Sequence, residues 1–236
     1  MSDRKKFLGI ITARSGSKGL KNKNLLKMNN YPLIYWPIKT FRNSKYINHF
    51  ILSTDSKKIA KVSKKYNCLV PFIRPKILSR DKSSSIDVII HAINFYKKKN
   101  INFEYVALLE PTSPLTDSRD LDRAISRLLK LKKKADSVVG ISKNINHHPD
   151  FNIKLKQNNF ITNISNKKNS IRQSLSNLYF FDGSLYVSKV KSILKKKTFY
   201  HKKTIGYEMP KWKSFEIDDY IDFLCVSKIF KYKNKL

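Results

Sequence analysis

Short apolar runs alternate with amphipathic segments through the first two-thirds of the chain. Residues 7–13 (FLGIITA) read as a buried strand, and 32–41 as a helix despite Pro37. Residues 49–55 read as a second strand and 56–66 as a helix, with 69–74 a third strand that Pro71 confines to a sheet edge. A helix over 85–99, a strand over 105–111, a helix over 118–134 and a fifth strand over 136–142 complete the series. This alternation predicts an α/β fold with a mostly parallel sheet and helices on both faces. Ligands of such sheets collect at the carboxyl ends of the strands. The polar ends of these runs are therefore candidate site positions: Arg14 and its loop, 53–55, Arg74, and 110–114.

The pattern changes after about residue 143. Residues 151–164 read as two short strands around an Asn158–Asn159 turn, and 179–188 as a strand interrupted at Asp182-Gly183. Residues 220–231 form a terminal helical pattern. The 236 residues read as a single domain, with 143–177 an excursion suited to an arm or dimer-forming lobe.

Charge changes the picture less than its size suggests. The formal charge is +32, which invites a nucleic-acid reading. The lysines are spread over the whole chain rather than concentrated in a stripe with interleaved aromatics. Lysine, asparagine and isoleucine are abundant together, the composition expected of an A/T-biased coding sequence. A specific nucleic-acid partner is not expected; a basic, non-catalytic nucleic-acid-binding protein is the rival reading. No run is long and apolar enough to span a bilayer, and the apolar stretch near the start is too short for a signal peptide. Cys68 and Cys225 lack metal-site spacing and suggest reduced thiols, hence a cytoplasmic location.

The first candidate chemistry lies in residues 10–24, IITARSGSKGLKNKN. A buried strand empties into a Gly/Ser loop carrying Arg14, Lys18, Lys21 and Lys23. Gly16 and Gly19 are expected to let the backbone turn its N–H groups toward an anion, with the cations neutralising it. The loop is neither a Walker A motif nor the dinucleotide G-x-G-x-x-G fingerprint. Alone, it is equally readable as a solvated basic turn.

Five segments in order carry a sharper reading: ARSGSKGLKNKN (13–24), STDSKKIA (53–60), RPKILSRDKSSSIDVIIHAI (74–93), LLEPTSPL (108–115) and SFEIDDYIDF (214–223). With RQSL (172–175) and the Asp-Gly-x-x-Tyr of 182–186, the chain resembles the acylneuraminate cytidylyltransferases, the CMP-sialic acid synthetases and their legionaminate and pseudaminate relatives. The resemblance implies a Rossmann-like nucleotidyltransferase fold, a homodimer, CTP and Mg²⁺. The implied reaction is attack of a sugar's anomeric hydroxyl on the α-phosphorus of CTP, with release of pyrophosphate. Legionaminate, pseudaminate and Kdo remain open as alternative sugars.

The resemblance also assigns roles. Arg14, Ser17, Lys18, Gly19, Lys23 and Asn24 match the triphosphate loop, with Lys23 also a catalytic candidate, and Arg74 and Ser85 match the cytidine end. An exposed turn at Arg74 and a plain helix cap at 83–85 are the bland alternatives. Glu110, Thr112, Ser113, Arg172, Gln173 and Tyr186 match the sugar side. Arg172 matches the arginine that grips the sugar carboxylate with a bidentate fork. Two positions depart from the family: Glu110 stands where glutamine is usual, and Thr116 where arginine is. His147-His148-Pro149 reads as a structural turn. Glu216 and Asp218 flank Ile217; in an extended segment both carboxylates face one side, suiting Mg²⁺ beside a triphosphate. Asp218 is also a catalytic candidate. Glu216 replaces the family's usual aspartate. Asp219 and Asp222 are expected to cap the terminal helix, and Asp55 to serve the helix that starts at 56.

Overall fold

The computed structural model describes residues 7–17, 19–80, 83–144, 148–164 and 176–235. Among these, the strands are β1 (Phe7–Thr12), β2 (Lys27–Met28), β3 (Tyr31–Pro32), β4 (Phe50–Ser53), β5 (Tyr105–Leu109), β6 (Ser137–Lys143), β7 (Ile153–Leu155), β8 (Ile161–Asn163), β9 (Tyr179–Lys189) and β10 (Thr204–Glu208). The α-helices are α1 (Tyr35–Arg42), α2 (Lys57–Lys64), α3 (Ser85–Lys97), α4 (Ser118–Lys130), α5 (Val190–Lys196) and α6 (Tyr220–Tyr232). The main sheet runs β10-β6-β9-β5-β1-β4, and only β9 opposes the direction of its neighbours.

Period-two alternation in β1 explains both layers. Phe7 and Ile11 face a core shared with α1, α2 and α4, while Leu8 and Ile10 face one shared with α3 and α5. A third cluster joins α6, through Val226 and Phe230, to Trp36 and Tyr35 at the start of α1. Pro37 is the third residue of α1, within the first turn, where its missing N–H has no helical acceptor to lose.

The structure corrects several boundaries. Residues 69–74 form no strand. Leu69 makes one parallel bridge to Ile51, and Pro71 then offers no N–H to extend it. The chain stays beside β4 nonetheless, because the Arg74 N–H donates to the Thr54 carbonyl at 2.8 Å. The expected interruption at Asp182-Gly183 is instead a bulge within a continuous β9. The register with β6 shifts between Val139 and Ile141, and Gly183 takes φ +67°. Helix 32–41 starts later, at Tyr35, because Pro32 pairs in the β2–β3 ribbon. The apolar pattern does not reveal α5 and β10, both short; β10 extends the sheet parallel to β6. The β7–β8 hairpin turns at Asn158 and Asn159, both with positive φ (63° and 64°), as the Asn-Asn pair predicts.

Candidate active site

The chain leaves β1 toward β4 on one side and later places β5 on the other, so a crevice opens between the carboxyl ends of β1 and β5. A cleft of about 250 Å³ lies there. Its lining includes Arg14, Ser17, Lys23 and Asn24 after β1, Arg74 and Ser85 at one end, and Glu110 and Thr112 after β5. Residues far apart in sequence thus meet at the expected edge of the sheet.

The loop after β1 is held by side chains more than by glycine turns. Ser15 donates from its N–H and its hydroxyl to the two carboxylate oxygens of Asp55, each at 2.8 Å. Asn24, buried, donates to the Arg14 carbonyl at 2.9 Å. The left-handed residue is Asn22 (φ 55°), not Gly16 or Gly19. Gly19 has a different reason to be glycine, since a Cβ there would overlap the backbone carbonyl of Asp218. The loop and the 216–218 segment pack backbone against backbone. Asp55 is accordingly a loop anchor, and Ser56 caps α2 by accepting from the Ile59 N–H at 3.3 Å.

At the opposite end, Arg74 is buried. Its Nε donates to Ser53 Oγ at 3.1 Å and its Nη2 to the Ser53 carbonyl. Burial lowers its pKa to about 10, so the guanidinium stays charged at neutral pH. Ser84, not Ser85, caps α3. Ser85 is released to donate to Glu110 Oε1 at 3.1 Å, and Thr12 Oγ1 donates to the same oxygen at 3.1 Å. Glu110 thereby ties β1, α3 and the end of β5 together across the cleft floor.

The acidic segment 216–218 does not line the cleft itself but adjoins it through Lys23. Lys23 Nζ donates to the Ile217 carbonyl at 2.8 Å and to Asp218 Oδ1 at 3.3 Å. The Ile217 N–H donates to the Thr112 carbonyl at 2.8 Å, fixing the segment against the loop after β5. Ser113 Oγ lies 3.2 Å from the Gly183 carbonyl and 3.3 Å from Glu216 Oε1. A Cβ at Gly183 would overlap the Glu216 carboxylate, so the bulge in β9 is what makes room for that side chain. Asp182, buried, accepts from Ser142 Oγ at 2.6 Å and from the Ser184 N–H at 3.0 Å and so sets the bulge. Burial first, then the charges of Glu110 and Asp218, push the Glu216 carboxyl up to about 7. This acidic pocket holds more negative charge than Lys23 offsets. Hard oxygen donors of this kind fit a divalent cation, which Glu216 and Asp218 would hold. No group of three or more His, Cys, Asp or Glu side chains is placed to hold a metal among the described residues. A metal here would thus draw the rest of its shell from elsewhere, as Mg²⁺ does from substrate phosphates.

Lys18, His147, Arg172 and Gln173 lie outside the described residues. Tyr186 packs on Phe199, with ring centroids 5.1 Å apart, on the face of β9 that meets α5. Glu110 and Glu216 still reinforce the effect of burial in raising its pKa. His148 is the expected structural turn, accepting from the Asp150 N–H at 3.2 Å. Asp219 and Asp222 form a reciprocal capping box on α6. Thr12, Leu78 and Arg80 also line the cleft, though sequence reasoning does not single them out. Of these, Thr12 alone carries a signal, as the last residue of an apolar run at a strand's carboxyl end.

An open, mostly parallel sheet with a basic loop after its first strand and carboxylates across the cleft defines a nucleotidyltransferase-type α/β protein. The solved structure of a CMP:2-keto-3-deoxy-manno-octonic acid synthetase complexed with CTP shares this fold. Its TM-score is 0.70 at 13% identity, covering 97% of this chain and 99% of that one. The chain belongs to the cytidylyltransferase family, whose model matches residues 8–236. It is 31% identical to an N-acylneuraminate cytidylyltransferase of Escherichia coli over 98% of its length and 54% of the relative's, so it spans about half of that protein. It is 29% identical to the post-translational flagellin modification protein B of Campylobacter coli, covering 97% of this chain and 96% of that one. A CMP-N,N'-diacetyllegionaminic acid synthase of Legionella pneumophila is 30% identical, with coverage of 96% and 97%. The resemblance drawn from the motifs is therefore borne out at the level of the family.

Proposed function

We propose that the chain transfers CMP from CTP to the anomeric hydroxyl of a nonulosonic, sialic-type acid, giving the CMP-sugar and pyrophosphate. The observation that carries this reading is the junction at Lys23. Its ammonium, in the cleft lining, joins the basic loop after β1 to Ile217 and Asp218, so the acidic segment is tied to the edge of the cleft that the phosphate-facing cations line. Arg14, Ser17, Lys23 and Asn24 hold the triphosphate, and Arg74 and Ser85 take the cytidine end. Phosphoryl transfer rests largely on positioning and charge neutralisation, which such a cleft supplies. Lys23 keeps Asp218 and the phosphates in register, and burial of Glu216 beneath Ser113 keeps its carboxyl away from bulk water. Glu216 and Asp218 would hold Mg²⁺ together with the phosphates; bound there, the ion neutralises charge on the triphosphate and lowers the pKa of a nearby hydroxyl. The sugar lies toward Glu110, Thr112 and Ser113. Arg172, Gln173 and Tyr186 complete that side on the strength of the family resemblance.

The active form proposed is a homodimer. Support comes from the β7–β8 hairpin, whose Ile153, Leu155, Phe160 and Ile161 are all exposed, and from Phe180 and Phe181 on β9, exposed as well. A cytoplasmic location follows from the reduced cysteines and the nucleotide substrate; no described helix is long and apolar enough to cross a membrane.

Pyrophosphate release, measured with CTP and Mg²⁺ against N-acetylneuraminate, diacetyllegionaminate, pseudaminate and Kdo, tests the reaction. Turnover with one nonulosonic acid and CTP, and not with ATP, GTP or UTP, is the expected result. Absence of release with all four sugars overturns the reading.

A further inference from the structure

A second cleft, of about 210 Å³, lies behind the loop after β5, away from the residues that line the first. Lys39 of α1, Arg119 of α4 and Lys233 beyond α6 converge on it, with Trp36, Trp212 and Phe230 as its apolar walls. The way the cations are held is unusual. Lys39 Nζ lies 5.7 Å from the ring centre of Trp36, and Lys233 Nζ 3.9 Å from that of Phe230. Ring faces position an ammonium without neutralising it. Neither lysine has a carboxylate partner among the described residues.

The acids nearby are already committed. Asp117 accepts from Lys213 at 2.9 Å and from Arg119 at 3.2 Å, and Asp120 pairs with Lys213. Lys213 and Arg119 thus take up both carboxylates and leave Lys39 and Lys233 without one. Burial, and next the charge of Lys39, lower the pKa of Lys233, as expected where like charges crowd. The indole N–H of Trp36, a residue only 6% exposed, has no acceptor among the described residues. The lysines here rim a concave wall with surplus positive charge and an unused donor.

We infer that this second cleft is a binding site for a small phosphate-class dianion, either free phosphate or the head of a phosphate monoester. Charge-assisted hydrogen bonds from Lys39, Lys233 and Arg119 would hold it.

The chain has two tryptophans, Trp36 and Trp212, and both line this cleft, so intrinsic fluorescence reports on it. The full chain is titrated with inorganic phosphate and, separately, with glycerol phosphate, at constant ionic strength set with chloride. A saturable fluorescence change is expected. Tighter binding of glycerol phosphate assigns the ester, and equal or tighter binding of inorganic phosphate assigns the free ion. The change should weaken about tenfold or more in the Lys39→Gln/Lys233→Gln double variant and persist in Lys39→Arg/Lys233→Arg. It should survive Arg14→Gln, which disables the phosphate loop of the first cleft. Lys39 is exposed and Lys233 half-buried, and circular dichroism verifies the fold of both pairs of substitutions. A change that is non-saturable, or undiminished in the glutamine pair, or abolished by Arg14→Gln, overturns the site.

Discussion

Glu216 is a carboxylate placed where ionisation is costly. Its folded pKa of about 7 lies above the ordinary 4.5 because burial and three neighbouring acids, Glu110, Asp218 and Asp182, oppose the charge. A carboxyl raised on folding binds a proton between those values that the unfolded chain has already lost. Stability of the metal-free protein should therefore be full below about pH 4.5 and decline as pH rises to about 7. Glu216→Gln should remove this slope. In chelator at pH 8, the variant should exceed the parent by about 2 kcal/mol in urea unfolding, after discounting for partial exposure, and match it at pH 4. A parent curve that is flat across this window would contradict the burial argument. Asp218 differs, being exposed and bonded to Lys23. Asp218→Asn keeps its size, so folding should survive while turnover falls at least ~100-fold, about 2.7 kcal/mol in barrier height. Asp219→Asn keeps a capping side chain on α6 and loses only its charge, so it should cost no more than about 0.5 kcal/mol of stability with turnover retained. Turnover against Mg²⁺ concentration separates the two; a dead Asp219→Asn beside an active Asp218→Asn would place the ligand one residue later.

Elements whose alternation is strong are legible in the sequence, and those decided by tertiary contact are not. β1, β5 and α4 can be read to within a few residues because apolar periodicity and capping residues coincide there. Residues 69–74 carry the apolar content of a strand, but Pro71 removes the donor that a ladder needs. Gly19 looks like a turn residue from composition alone. Its actual constraint, the carbonyl of Asp218, lies 199 positions away and leaves no local trace. The same holds for Lys213. In sequence it is one lysine among many; in the fold it is buried and anchors the turn before Glu216 to the start of α4 through Asp117 and Asp120. Burial pushes Asp117 up, but Lys213 more than offsets it and holds that carboxyl at about 2, while burial keeps Asp120 raised. Removing the ammonium strands two partly buried carboxylates. Lys213→Ala should lower stability by about 3–5 kcal/mol, read as a lower urea midpoint with an unchanged slope. Lys213→Met with Asp117→Asn and Asp120→Asn should recover most of the loss. A Lys213→Ala midpoint equal to the parent's would show the cluster to be solvated.

Over the whole molecule, charge and exposed apolar surface point to different partners. The +32 charge is distributed, and the lysines that the fold arranges are divided among the two clefts, the Asp117–Asp120 cluster and Asp136, which pairs with Lys189 and Lys196. Duplex DNA should accordingly bind weakly, without sequence preference and with a steep salt dependence. The apolar surface is local. Leu155, Phe160 and Ile161 are 66%, 71% and 63% exposed on a two-stranded hairpin that pairs with no other described strand. An isolated hairpin is marginal in water, and one carrying such residues gains by burying them against a second chain. In chain order the hairpin lies between β6 and β9, the strand whose bulge accommodates Glu216. Association through the hairpin would therefore steady the acidic side of the cleft. Phe160→Asp with Ile161→Lys should shift sedimentation velocity from dimer to monomer and reduce turnover, while CTP affinity by calorimetry stays close to the parent's, because the residues proposed to face CTP are those of the loop after β1 together with Arg74 and Ser85. A parent that sediments as a monomer at micromolar concentration, or a double variant that remains dimeric, would remove the hairpin from the assembly.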